Sequence, residues 1–147
     1  MEEVQGMSDV AEKWGANVAK RGFSQTPNYL LNLNQFVDED AKLTPLELLI
    51  LVQLVGSWWK KDEPPFPSMK LLATRCGTSE RQVQRAINRL AQLGLIERKK
   101  RRAKGIIASN VYDLTPLAEL LEKVVAKVYP PENPRKPYKK PEDKDAP

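Results

Sequence analysis

Histidine is absent from the 147 residues, and cysteine occurs once, as Cys76. The first absence excludes a catalytic triad built on histidine and the common zinc ligand sets, and the second excludes a disulfide within the chain. Cys76 is expected to serve as a small apolar core residue. Long apolar runs are also missing. The longest, residues 48–55, is interrupted by Gln53 and too short to span a bilayer, and the acidic N-terminus carries no signal-type apolar stretch. A cytoplasmic location without membrane contact is the expectation. There is no Gly-rich phosphate loop, and the acidic run Asp38, Glu39, Asp40 reads as a solvated loop rather than a catalytic pair. The chain is therefore not expected to be an enzyme, and no cofactor or metal is expected.

What is present is positive charge, concentrated in one stretch. The net charge is only +5, but residues 69–104 hold eleven Lys or Arg against the two acids Glu80 and Glu97. That segment sums to +9 and the rest of the chain to −4. A basic block inside a folded segment points to a polyanionic partner, with a solvated charged face as the plain alternative.

Cap residues and glycines divide the chain into elements. Ser8 is expected to cap a helix running to Lys20, with Val10, Trp14 and Val18 on one face and Gly22 at its end. Residues 23–34, with Pro27, read as an extended lead into a short helical turn. Thr44, Pro45 and Glu47 form a capping box with proline at the first helical position, opening a helix over 45–59 that is apolar on nearly every side and hence buried. Trp58 and Trp59 are expected in the core with it. Three prolines in residues 60–67 exclude a helix there. Ser68 caps a short helix to Cys76, Gly77 stops it, and Ser79 with Gln82 forms a second capping box for a helix to Leu93. After Gly94 the pattern changes to two strands joined at Gly105, a basic hairpin. Thr115 and Pro116 repeat the cap-plus-proline signal before a helix to Val128. The last eighteen residues hold six of the twelve prolines and many charges, and read as a disordered tail.

In the helix that Ser79 caps, Val83, Ala86, Ile87 and Leu90 fall on one side. Arg81, Arg85 and Asn88 fall on the other, flanked by Gln84 and Arg89. The exposed side thus carries groups that pair with guanine or adenine edges in a major groove. Thr78 and Ser79 bring N–H groups and hydroxyls suited to phosphate at the helix start. Arg98, Lys99, Lys100, Arg101, Arg102 and Lys104 on the hairpin repel one another unless phosphates neutralise them.

The run Pro67, Ser68, Leu72, Ala73, Gly77, Ser79, Arg81, Val83, Gln84, Arg85, Ile87, Leu90, Gly94, Leu95 and Ile96 resembles the winged-helix module of bacterial, plasmid and phage helix-turn-helix proteins. GntR-type regulators and the N-terminal domains of DnaD-like and plasmid replication proteins are similar to it. The resemblance implies an α+β, mainly helical fold: a winged helix-turn-helix over 23–128, a helical extension over 1–22 and a tail over 129–147. It further implies that Ser79, Arg81, Gln82, Gln84, Arg85 and Asn88 face the groove of double-stranded DNA while Lys99 to Lys104 lie along its backbone or minor groove. Transcriptional regulation is the expected role. A replication or partition factor, or a winged helix that meets an acidic protein, are the alternatives. A homodimer through Leu117, Leu121, Val124 and Val128 is a further expectation, against the reading that this helix only covers its own domain.

Overall fold

The computed structural model describes residues 9–103 and 106–129, and the side chains of 101–109 are not among those described. The tail over 130–147 and the turn at Lys104 and Gly105 lie outside the described residues. Helical residues 9–14 are followed by α1 (Ala16–Lys20), α2 (Asn28–Leu31), α3 (Pro45–Gly56), α4 (Met69–Cys76), α5 (Glu80–Gln92), the strands β1 (Glu97–Ala103) and β2 (Ile106–Asp113), and α6 (Thr115–Val128). Short 3-10 turns at Leu33–Gln35 and Glu39–Ala41 join α2 to α3. The architecture is mainly helical with one two-stranded antiparallel sheet, a winged helix-turn-helix.

The core is shared by α3 through α6. Ile50, Leu51 and Leu54 of α3 pack with Leu72 of α4, Val83, Ile87 and Leu90 of α5, and Tyr112, Leu114 and Leu117 beyond the hairpin. Leu30 and Leu33 close it from the N-terminal side. There the Asn34 carboxamide brackets the Leu43 backbone: Nδ2 donates to Leu43 O at 2.9 Å, and Leu43 N donates to Oδ1 at 2.8 Å. The Thr44 capping box forms in both directions, with Glu47 N donating to Thr44 Oγ1 (3.2 Å) and Thr44 N to Glu47 Oε1 (2.8 Å).

Four expectations are corrected. The first helix is not continuous: Gly15 adopts φ 97°, a left-handed conformation that only glycine takes without strain, and separates residues 9–14 from α1. On the face of Val10, Trp14 and Val18, Trp14 is 62% and Val18 54% exposed while Val10 is half-buried, and Ala19 is the buried residue of α1. Next, α3 ends at Gly56 rather than Trp59. Ser57 N and Trp58 N donate back to Leu54 O and Val55 O, tightening the last turn and turning the chain away. Trp58 remains half-buried against the core, whereas Trp59 is 71% exposed. Third, Thr115 does not cap α6. It is the first helical residue, and its N–H donates to Asp113 Oδ1 at 2.9 Å. Fourth, Leu117 and Leu121 of the expected dimer stripe are buried in the chain's own core. Tyr129 at the end of α6 also packs edge-on against Tyr29 of α2, with centroids 6.2 Å apart.

Candidate nucleic-acid interface

The turn between α4 and α5 is built by backbone bonds. Gly77 takes φ 68°, so Thr78 N can reach back to Ala73 O (3.0 Å) and Gly77 N to Thr74 O (3.4 Å). These are the two bonds of a Schellman stop, and they aim the chain directly into Ser79. Ser79 Oγ accepts from Gln82 N at 3.1 Å, but Gln82 returns no bond to it, so only half of the expected capping box is made. Thr78 also differs from expectation. It is half-buried and its N–H is spent inside the turn, which leaves the Ser79, Glu80 and Arg81 N–H groups without an intrahelical acceptor.

The division of α5 into two faces is as its sequence implies. Val83, Ala86, Ile87 and Leu90 are buried. Arg81, Gln82, Gln84 and Arg85 are exposed, and Asn88 is half-buried. Arg81, Arg85 and Asn88 follow one another at helical spacing along a single outward line.

Arg89 is placed elsewhere. Its Nη1 donates to Glu47 Oε1 at 2.5 Å and to Lys42 O at 2.9 Å, and its Nη2 donates to Asp40 O at 3.0 Å. Glu47 is only 6% exposed, and a side chain buried to that degree needs partners that offset its lost hydration. The same Oε1 serves the Thr44 cap, so Arg89 fastens α5 to the start of α3. Arg89 sits at the border of the apolar face, which was the one available hint. Glu47, 42 residues away, carries no mark in sequence as its partner.

The hairpin pairs Glu97 with Asp113, Arg98 with Tyr112, Lys99 with Val111 and Lys100 with Asn110. The register then shifts, and Arg102 pairs with Ile107, so β2 carries the extra residue of a bulge opposite Arg101. Directly paired residues share a face. Arg98 therefore lies on the side of buried Tyr112, and Lys100 on that side with it. The root of the hairpin is anchored at the edge of β2 by Tyr112 N donating to Pro65 O at 2.9 Å. Arg98 then reaches α5: its Nη1 donates to Asn88 Oδ1 at 2.5 Å. The line Arg81, Arg85, Asn88 thus continues onto Arg98, so helix and hairpin meet along one basic face. Arg98 was counted among the basic residues, but its tie to Asn88 had no sequence signal. Lys99 emerges on the other face of the ribbon, 3.7 Å from Asp113. The Thr115 bonds, with Lys99 beside them, hold the Asp113 carboxyl below the usual carboxylate range. Lys100 is exposed. Arg101 and Arg102 are placed only by backbone, and Lys104 lies outside the described residues.

A second concavity is distinct from this face. A groove of about 1000 Å³ runs between Pro27, the end of α3 and α6, lined by Val55, Trp58, Trp59, Ala118 and Glu122 among others. None of its lining comes from α5 or the hairpin. Trp58 Nε1 is buried without an acceptor among the described residues. Cys76 is half-buried against the core, and burial pushes its thiol up, away from the reactive thiolate. No helix among the described residues is long and apolar enough to cross a membrane.

Residues 41–96 match the family model of a helix-turn-helix domain. The match begins just before the Thr44 cap and stops at the residue before β1, so it covers α3, α4 and α5 and leaves the hairpin as an addition. Curated proteins returned no match. The matched segment is similar to helix-turn-helix domains, and with the hairpin behind it the fold is that of a winged helix-turn-helix.

Proposed function

We propose that the protein binds double-stranded DNA sequence-specifically and acts as a transcriptional regulator. The recognition helix α5 would enter the major groove with Ser79, Arg81, Gln82, Gln84, Arg85 and Asn88, and the Thr78 hydroxyl before it would meet a phosphate. Lys99, Lys100, Arg101, Arg102 and Lys104 of the wing would follow the phosphate backbone or the minor groove. The observation that carries this reading is the Arg98–Asn88 bond, because it sets the basic ribbon beside the exposed arginines of α5. A docked duplex would then meet both together. Arg89 is left out of the contact set, since Glu47 holds it.

Fluorescence anisotropy with random-sequence and selected duplexes over a salt series tests the reading. Each neutralised phosphate contributes about −0.9 to the slope of log affinity against log salt, so a slope of about −4 or steeper is expected. Binding indifferent to salt, or absent for every duplex, contradicts it.

One recognition helix offers few base contacts, and two copies on a two-fold site would double them. With Leu117 and Leu121 inside the core, the expected stripe leaves Val124 and Val128 for a partner. Pairing is therefore proposed on DNA rather than free in solution. Sedimentation with and without a palindromic duplex distinguishes the two.

A further inference from the structure

We infer that the proline-rich end of the chain, residues 130–147, folds back onto the Trp58–Trp59 groove and covers it. The inference stands apart from the DNA-binding reading, since no residue of α5 or the hairpin lines that groove.

The groove is an apolar surface that no described residue fills. Trp59 is exposed beside half-buried Trp58, and Pro27, Val55 and Ala118 line the same space. An apolar patch of this kind on a protein surface marks a place where something docks. Its aromatic lining points to proline. A proline-rich segment is extended and restricted before it binds, so docking it orders little, and aromatic-lined grooves take up such segments. Residues 130–147 have that composition, with Pro130, Pro131, Pro134, Pro137, Pro141 and Pro147 among them.

The course of α6 delivers this segment to the groove. Thr115, Ala118 and Glu122 line it, and at about 3.6 residues per turn Tyr129 falls on the same face of the helix as these three. Tyr129 packs against Tyr29, two residues beyond Pro27. The chain therefore leaves α6 on the groove side. Thr115 lies about 20 Å back from Tyr129 along the helix, at about 1.5 Å per residue. The eighteen residues that follow Tyr129 span about 55 Å when extended at about 3.1 Å each, ample to turn and run the length of the groove.

Charge fits as well. Glu119 and Glu122 line the α6 side, and Lys60 and Lys61 line the groove beyond the end of α3. The segment carries a basic block, Arg135, Lys136, Lys139 and Lys140, and then the acids Glu142, Asp143 and Asp145. Each block has its opposite sign at the groove.

The test uses the full chain with its cysteine moved, Cys76→Ala with Ala146→Cys, isotope-labelled and carrying a nitroxide at position 146. The indole N–H signals of Trp58 and Trp59 are expected to lose most of their intensity, while that of Trp14, which does not line the groove, keeps it. A second form leaves Cys76 in place and carries Pro134→Ser, Pro137→Ser and Pro141→Ser together. Its Trp59 indole signal is expected to move from the native position, with Trp14 unmoved. A melting curve for each form checks the fold, and the proline variant decides alone if the cysteine variant does not fold.

Full intensity at Trp58 and Trp59, or equal loss at all three tryptophans, overturns the inference. So does a proline variant that leaves the Trp58 and Trp59 signals where they were. A mixture of isotope-labelled chain without nitroxide and unlabelled chain with it must show no loss. Loss there means that the segment of a second copy fills the groove, and the inference fails. None of these outcomes alters the case for DNA binding, which the salt series tests separately.

Discussion

The two halves of α5 put the same side chain to different uses. Arg85 and Arg89 stand one turn apart, both at the end of a long flexible stem. Arg85 is exposed, whereas Arg89 is bonded to Glu47, Lys42 O and Asp40 O. The first half of the helix presents cations to whatever docks there. The second half spends its arginine on the body of the protein and its asparagine on the wing. The difference comes from the neighbour: a buried carboxylate at the start of α3 captures the Arg89 guanidinium. A helix that must be inserted into a groove in a fixed pose needs such a fastening at its far end, while its near end stays open.

The sharpest way to break this comparison is to remove the fastening. Arg89→Ala strands the Glu47 carboxylate, and a loss of about 2–3 kcal/mol in unfolding free energy is expected from urea denaturation. The double variant Glu47→Gln, Arg89→Met should lose less than the two single changes summed, because the partners act on one another. Arg85→Ala should do the converse. Stability should stay within about 0.5 kcal/mol of the native value, while specific DNA binding weakens by about 1–3 kcal/mol in a titration. Equal effects of Arg85 and Arg89 on stability would erase the distinction. Ser79→Ala acts between the halves, removing the acceptor for Gln82 N, and about 1 kcal/mol of stability is expected to go with it.

The smallest effect concerns Asp113 at the wing root. Its folded carboxyl is held below the ordinary range by the Thr115 bonds, with Lys99 adding to them. A depressed acid contributes stability that is present above the ordinary carboxylate range and lost as pH falls through the folded value. Asp113→Asn should therefore flatten part of the acid limb of a stability–pH curve. It should change little near neutrality beyond the weaker amide acceptor for Thr115 N.

Much of this was legible from the chain itself. Side-chain caps and glycine stops act within a few residues, so Thr44 with Glu47, Ser68, Ser79 and Gly77 mark α3, α4 and α5 without help from tertiary structure. The buried face of α5 was legible for the same reason, since periodicity is local. Interactions across the chain were not. Nothing near Arg89 says that Glu47 awaits it, and nothing near Asn88 says that the wing returns to claim its oxygen. Gly15 is tolerated in many helices, so its break could not be told from a weak helical position. The exposure of Trp59 escaped because the apolar run continues past the turn at Gly56, where backbone bonds rather than hydrophobicity end the helix. Thr115 misled in a subtler way: cap and first helical residue are chemically similar, and Asp113, two residues earlier, takes the capping bond.

The central claim is that the open half of α5 and the root of the wing form one DNA-binding face. An NMR titration of the labelled chain with a selected duplex tests it most directly. Amides over 79–88 and 97–100 should shift together and saturate at the same duplex ratio, while those lining the Trp58–Trp59 groove stay still. Shifts confined to that groove, or a wing that does not respond when α5 does, would contradict the account.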